Sequence, residues 1–150
     1  TNFVLLVGNS QKMEVEVRPQ NQIVRWSSSN SSVASIDENG IVTGISGGVV
    51  TITASITSNG KTYSDSCSIS IVSLNISLES EFIDVGETTT MYIDYLPLSG
   101  ELEWKNRNPD IISVQENEKT LLITGLAPGS TQIMITVDGV GQSYLIHVRD

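Results

Sequence analysis

The chain has 150 residues, 39% of them hydrophobic and 17% charged, with a formal net charge of −9. That acidity excludes a nucleic-acid partner, which needs clustered Lys and Arg, and argues equally against an anionic membrane surface. The apolar content suffices for a buried core, and the wealth of Ser, Thr, Val and Ile favours pleated strands over helices.

In chain order, Val7-Gly8 precedes an alternating run at Met13, Val15 and Val17, which ends near Pro19. Trp26-Ser-Ser-Ser-Asn30 comes next, then Val33-Ala34-Ser35-Ile36 and the turn signal Asn39-Gly40. Within residues 51–57, Ile52, Ala54 and Ile56 alternate with Thr and Ser, which sets the apolar groups on one face of a strand. Asn59-Gly60 reads as a hairpin, because such pairs accept the positive φ of a tight turn. Cys67, Ile69 and Ile71 then alternate with serines, and SLNISL, residues 73–78, reads as one more strand. The connection to it contains no Gly or Pro and is only about three or four residues long, which predicts restricted swivelling.

The second half repeats the first. At an offset of 78, Val7-Gly8 falls on Val85-Gly86, Met13, Val15 and Val17 on Met91, Ile93 and Tyr95, Pro19 on Pro97, and Trp26 on Trp104. The offset grows to 81 at Thr124-Gly125, which follows a three-residue insertion in the turn Gln115–Thr120, and falls to 77 at Ile146 and Val148. Turns tolerate such changes of length and strands do not. Ile133, Ile135 and Val137 alternate with polar positions, and Asp138-Gly139 supplies another hairpin signal. Repeats of this length indicate tandem copies of one unit. No segment carries a helical apolar stripe. The expected fold is all-β: two tandem immunoglobulin-like β-sandwiches of about seven strands each, in an elongated, semi-rigid arrangement. The first spans residues 1–72 and the second 73–150. The counterpart of SLNISL would precede Thr1, so the first sandwich is expected to lack its first strand and to expose a sheet edge.

The order Trp-Ser-Ser-Ser-Asn, Val-Ala-Ser-Ile, Asn-Gly-Ile-Val-Thr-Gly and Thr-Ile-Thr-Ala, all between residues 26 and 54, resembles the bacterial immunoglobulin-like group 2 domain. Val85-Gly86-Glu87-Thr88 extends the likeness to the second half, which departs from the pattern at Gln115–Thr120. The resemblance implies a spacer or adhesive module, as found in surface adhesins, cell-wall proteins, phage virion proteins and polysaccharide-degrading enzymes.

The single Cys67 allows no intramolecular disulfide, and its alternation with Ile69 and Ile71 predicts a buried side chain. Trp26 and Trp104 hold matched positions where an Ig-like sandwich buries a Trp, which outweighs sugar stacking. His147, between Ile146 and Val148, should face outward, without a recognisable second base or orienting partner for hydrolytic chemistry. Asp37-Glu38-Asn39-Gly40 lacks the spacing of a calcium loop. No catalytic, cofactor-binding or metal-ligating residues are therefore assigned, no cofactor is expected, and the chain is read as not an enzyme. Tyr92, Met134 and Leu145 should point outward and form a candidate contact patch, with Gln115–Thr120 as a further contact region.

No signal-peptide pattern and no run of 18 apolar residues are present, and the start at Thr1-Asn2 reads as a piece of something longer. The reading is a noncatalytic structural and adhesive segment of a bacterial cell-surface protein, extracellular, monomeric as a fragment and not inserted in a membrane. Its partner is an unidentified surface protein or polysaccharide. A phage virion decoration or tail module, and an accessory carbohydrate-binding or spacer module of a secreted hydrolase, stand as alternatives.

Overall fold

The computed structural model describes residues 3–15 and 22–150. Val17 and Pro19, matched above with Tyr95 and Pro97, lie outside the described residues. By their contacts the residues divide into two compact units, Thr1–Ser73 with Leu96–Ser99, and Leu74–Tyr95 with Gly100–Asp150.

The first unit contains β1 (Phe3–Leu6), β2 (Ser10–Lys12), β3 (Arg25–Ser28), β4 (Ala34–Ile36), β5 (Ile41–Gly44), β6 (Gly48–Ser58) and the first part of β7 (Lys61–Leu78). Strands β3, β6 and β7 form one sheet in that order, with β1 added parallel to β7. Strands β2, β5 and β4 form the other. Alternation does the sorting, as the sequence predicts: Val50, Ile52 and Ala54 of β6 are buried, whereas Val49, one position out of phase, is 55% exposed. With Leu5, Ala34, Val42, Ile69 and Ile71 they make the core of this unit. Each buried Val, Leu or Ile among them contributes about 1.5–3 kcal/mol by leaving water.

The second unit takes the remainder of β7 with β8 (Phe82–Asp84), β9 (Thr88–Leu96), β10 (Leu102–Asn106), β11 (Ile112–Asn117), β12 (Thr120–Gly125), β13 (Gly129–Val137) and β14 (Val140–Arg149). One sheet runs β10-β13-β14-β8, with β8 parallel to β14, and the other runs β7-β9-β12-β11. The pairing order of the first unit thus recurs. The register recurs as well, because Val4 faces Ser70 and Phe82 faces His147, at the sequence offsets of 78 and 77. This core is larger, built on Met91, Ile93, Ile112, Leu121, Ile123, Ile133, Ile135 and Ile146, with Leu74, Ile76 and Leu78 packed against it.

Two expectations need correction. No connector of three or four residues separates the units, since β7 is one strand of 18 residues. Its apolar phase switches from odd positions (Cys67, Ile69, Ile71) to even ones (Leu74, Ile76, Leu78), a change that an extended strand makes without Gly or Pro. Asn59-Gly60 and Asp138-Gly139 turn with positive φ at both residues, as expected of two-residue hairpins, but of Asn39-Gly40 only Gly40 does so. There the Asp37 carboxylate shapes the turn by accepting the amide protons of Asn39 and Ile41, each at 2.9 Å.

Candidate contact surface

Outward residues of the second unit fall on two sheets, and the structure divides the three predicted contact residues between them. Met134 on β13 and Leu145 on β14 share the outer face of the β10-β13-β14-β8 sheet: Met134 lies opposite Ser143, and Leu145, two residues further on, lies opposite Gln132. Leu145 is exposed, whereas Met134 is half-buried and its Sδ receives the Ser143 hydroxyl at 3.6 Å. Tyr92 is exposed on β9, which belongs to the other sheet, so it does not join them. Its neighbours there are Glu79, which accepts the phenol proton at 3.1 Å, and the exposed Leu122 of β12. The hydrogen bond to Glu79 raises the Tyr92 pKa above its ordinary value. The negative charge of that carboxylate and slight desolvation add to the effect.

The face that carries Leu145 is richer than the sequence suggests. Register aligns Ser130, His147 and Phe82 across β13, β14 and β8 in one row. His147 faces outward as expected, yet it does have a partner: the Ser130 hydroxyl and its Nδ1 are 2.7 Å apart. The imidazole stacks on the exposed Phe82 ring at 4.9 Å between centroids, 15° from parallel. In the adjacent row Arg149 binds Asp84 through Nε at 3.1 Å, and its guanidinium lies 6.0 Å from the Phe82 centroid. The carboxylate of this pair is therefore engaged by Arg149, and the geometry is that of a stacked amphipathic strip, suited to flat contacts and cation–π recognition. Phe82 was missed because Glu81-Phe82-Ile83-Asp84 is too short to show a period. Its adjacency to Ile83, which is buried, is the signal that marks it as outward.

The second contact region, Gln115–Thr120, is the tip of the β11–β12 hairpin. Glu118 takes a positive φ of 53°, and Lys119 sits over the Tyr95 ring at 5.1 Å. Glu116 is exposed on β11 and accepts the Trp104 indole proton at 3.0 Å. Both tryptophans are half-buried and pack on their unit's core, Trp104 beside Leu102 and Trp26 beside Met13. Cys67 is also only half-buried, a correction to its expected burial, and it lines an open cleft of about 160 Å³ with Trp26, Ile52 and Asp65. Among the described residues no three His, Cys, Asp or Glu side chains come together, and no helix is long and apolar enough to cross a membrane.

Comparisons with known proteins give the fold a context. An uncharacterized protein of Clostridium acetobutylicum is 34% identical over 122 residues, which are 75% of this chain and 12% of that protein. A second protein of the same organism is 31% identical over 75 residues, 48% of this chain and 19% of its own length. The 3-O-alpha-D-galactosyl-alpha-L-arabinofuranosidase of Bifidobacterium longum subsp. longum is 42% identical over 53 residues, 33% of this chain and 5% of the enzyme. The chain thus spans under a fifth of the length of each of these relatives. Among solved structures, the C-terminal fragment of intimin, in complex with the intimin-binding domain of its translocated receptor, superposes with a TM-score of 0.57. It is 17% identical, with 85% of this chain and 51% of that one covered. At that identity the likeness concerns the fold, an all-β, immunoglobulin-like β-sandwich. Residues 1–65 match the family model of the bacterial Ig-like domain (group 2).

Proposed function

We propose that the chain is a noncatalytic structural and adhesive segment of a bacterial cell-surface protein, held outside the cell, with the second unit a further domain of the group 2 kind. The match of residues 1–65 to that family carries the reading. The recurrence of strand order and register in the second unit supports extending it to residues 73–150. A structural segment must resist being pulled apart, and both units offer ladders of antiparallel hydrogen bonds over closed cores. Its partner is a surface protein or polysaccharide, met by the Phe82, His147 and Leu145 face.

Mechanical extension of the chain between inert handle domains tests the structural role. Two separate unfolding events are expected, each releasing roughly 250 Å of chain, from about 3.5 Å per residue. Extension without a resolved force peak contradicts it. One observation favours a second reading, an accessory module of a secreted glycoside hydrolase: the identity shared with the arabinofuranosidase. Retention on a polysaccharide, lost on Phe82→Ala, supports that reading, and no retention across a glycan panel counts against it.

A further inference from the structure

The other sheet of the second unit, β7-β9-β12-β11, has an outer face of a different character from the Phe82 strip. Register sets its side chains in rows. Tyr92, Thr120 and Asn117 align across β9, β12 and β11, and Thr90, Leu122 and Gln115 form the row beside them. The next row, which starts at Thr88, carries hydroxyl side chains alone. Strands β9, β11 and β12 and the stretch Leu74–Leu78 of β7 contain no Lys or Arg. Lys119, at the hairpin tip, is turned to the Tyr95 ring, which packs on the core. The opposite sheet, by contrast, carries Lys105, His147 and Arg149.

The only aromatic ring in these rows, Tyr92, is held at both ends. Its hydroxyl donates to Oε1 of Glu79 at 3.1 Å, and Oε2 of the same carboxylate accepts the Thr90 amide proton at 3.2 Å. The Glu79 amide in turn donates to the Thr90 carbonyl at 3.0 Å, which fixes Glu79 beside that residue. Thr90 lies two residues before Tyr92 on the same face, so the tether draws the ring back along the strand instead of letting it stand up from the sheet. A leaning ring turns one π face to solvent, and 47% of Tyr92 is exposed. Held in this way before anything binds, it loses little rotamer freedom on contact.

We infer that this face binds an uncharged polysaccharide, one sugar ring of which stacks on Tyr92 while the next meet the rows of hydroxyl and carboxamide groups. The π face of a phenol is negative and attracts the C–H groups that crowd one side of a pyranose. Thr, Asn and Gln side chains both donate and accept, as sugar hydroxyls do. A protein partner calls for a cluster of apolar anchors, whereas Leu122 is the one exposed aliphatic side chain in these rows. Glu79 and the exposed Asp94 make the Tyr92 end negative with no cation in the same strands, which repels polymers bearing uronate or phosphate. The inference is independent of the partner proposed for the Phe82 face, which lies on the other sheet.

Affinity electrophoresis of the whole chain tests this, in gels containing laminarin, galactan or amylose, all neutral, or polygalacturonate, which is anionic. Retardation by at least one neutral polymer is expected, and none by polygalacturonate. Tyr92→Ala should weaken the interaction about tenfold, the loss expected of one stacking contact. Tyr92→Phe, which keeps the ring and loses the tether, should fall between, and Phe82→Ala should match the parent. Both Tyr92 variants should keep the parent's melting profile, because the side chain is exposed, so that lost retardation is not lost fold. Absence of retardation by every neutral polymer, undiminished binding by Tyr92→Ala, or a preference for polygalacturonate overturns the inference. So does a loss on Phe82→Ala with Tyr92→Ala unaffected, which places the glycan on the other sheet.

Discussion

Gly40→Ala offers a sharp test of how Trp26 is seated. Gly40 lies in the turn between β4 and β5 at φ +81°, and a Cβ built there falls 2.9 Å from both Cε2 and Cζ2 of Trp26. The left-handed backbone alone costs an alanine about 1–2 kcal/mol. The contact adds a second cost, because 2.9 Å is far inside carbon–carbon van der Waals separation and the indole or the turn must shift. Displacing a half-buried Trp from the core cluster adds about 1–3 kcal/mol, the usual range for overpacking. Gly60→Ala is the matched control. Its φ is +77°, in another turn of the same unit, and nothing lies within 4 Å of its added Cβ. Both substitutions remove the same backbone freedom from the unfolded chain, so the difference between them isolates the Trp26 contact.

Thermal unfolding followed by Trp fluorescence in a Trp104→Phe background reads the first unit alone, because the chain has two tryptophans. Gly40→Ala is expected to melt about 4–24 °C below Gly60→Ala, taking about 4–8 °C per kcal/mol for a domain of this size. An emission shift of Trp26 in the folded state is expected only for Gly40→Ala. Equal melting temperatures and unchanged emission for the two variants would refute the claim that the glycine is required by the ring above it.

Glu116→Gln keeps an acceptor for the Trp104 indole but removes its charge, so a loss of about 1 kcal/mol or less is expected in denaturant unfolding. Glu116→Ala, which leaves the Nε1–H without its protein acceptor, should cost more and red-shift Trp104 emission; equal effects would show that the bond is idle. For Tyr92 the sign follows from its raised pKa. The neutral phenol is the form that donates to Glu79, so its contribution is present below about pH 10 and is lost as pH rises through the raised value. Ultraviolet titration should place the Tyr92 midpoint higher in the parent chain than in Glu79→Gln, and coincident midpoints would contradict the assigned cause.

Alternation made the inside of this protein legible and left its outside only half so. Period two marks Met91 and Ile93 as inward and Tyr92 as outward, and the structure agrees at each. The same parity cannot say to which sheet a strand belongs, and a sandwich has two outer faces. That is why Tyr92 could be grouped with Met134 and Leu145 in sequence while β9 pairs with β12, and β13 with β14. Long-range register also decided what the residues near His147 do. Ser130 and Phe82 meet it from strands 17 residues before and 65 residues before, separations at which no local pattern speaks. Turn chemistry was legible where backbone φ alone sets it, at Asn59-Gly60, and less so where a side chain intervenes, as Asp37 does ahead of Gly40.

The physics that makes the fold recognisable also separates it from the choice of partner. Each strand commits alternate side chains to the core, and these, with the turn glycines, carry the family likeness. The outward set between them is constrained only to be compatible with an extended backbone, so Phe82, Leu145 and the row of Ser130 and His147 can change with little cost to stability. Surface substitutions of that kind fall within about 0.5 kcal/mol, while a buried Ile133 or Ile135 truncated to Ala costs about 2–5 kcal/mol. It follows that binding, if carried by the β13-β14-β8 face, is separable from folding. Phe82→Ala with Leu145→Ser should abolish retention on a cognate surface and leave the melting profile of the second unit nearly unchanged. A pair of substitutions that unfolds the unit would place those side chains among the residues that hold the sandwich together, and the face could no longer be treated as free to evolve a ligand.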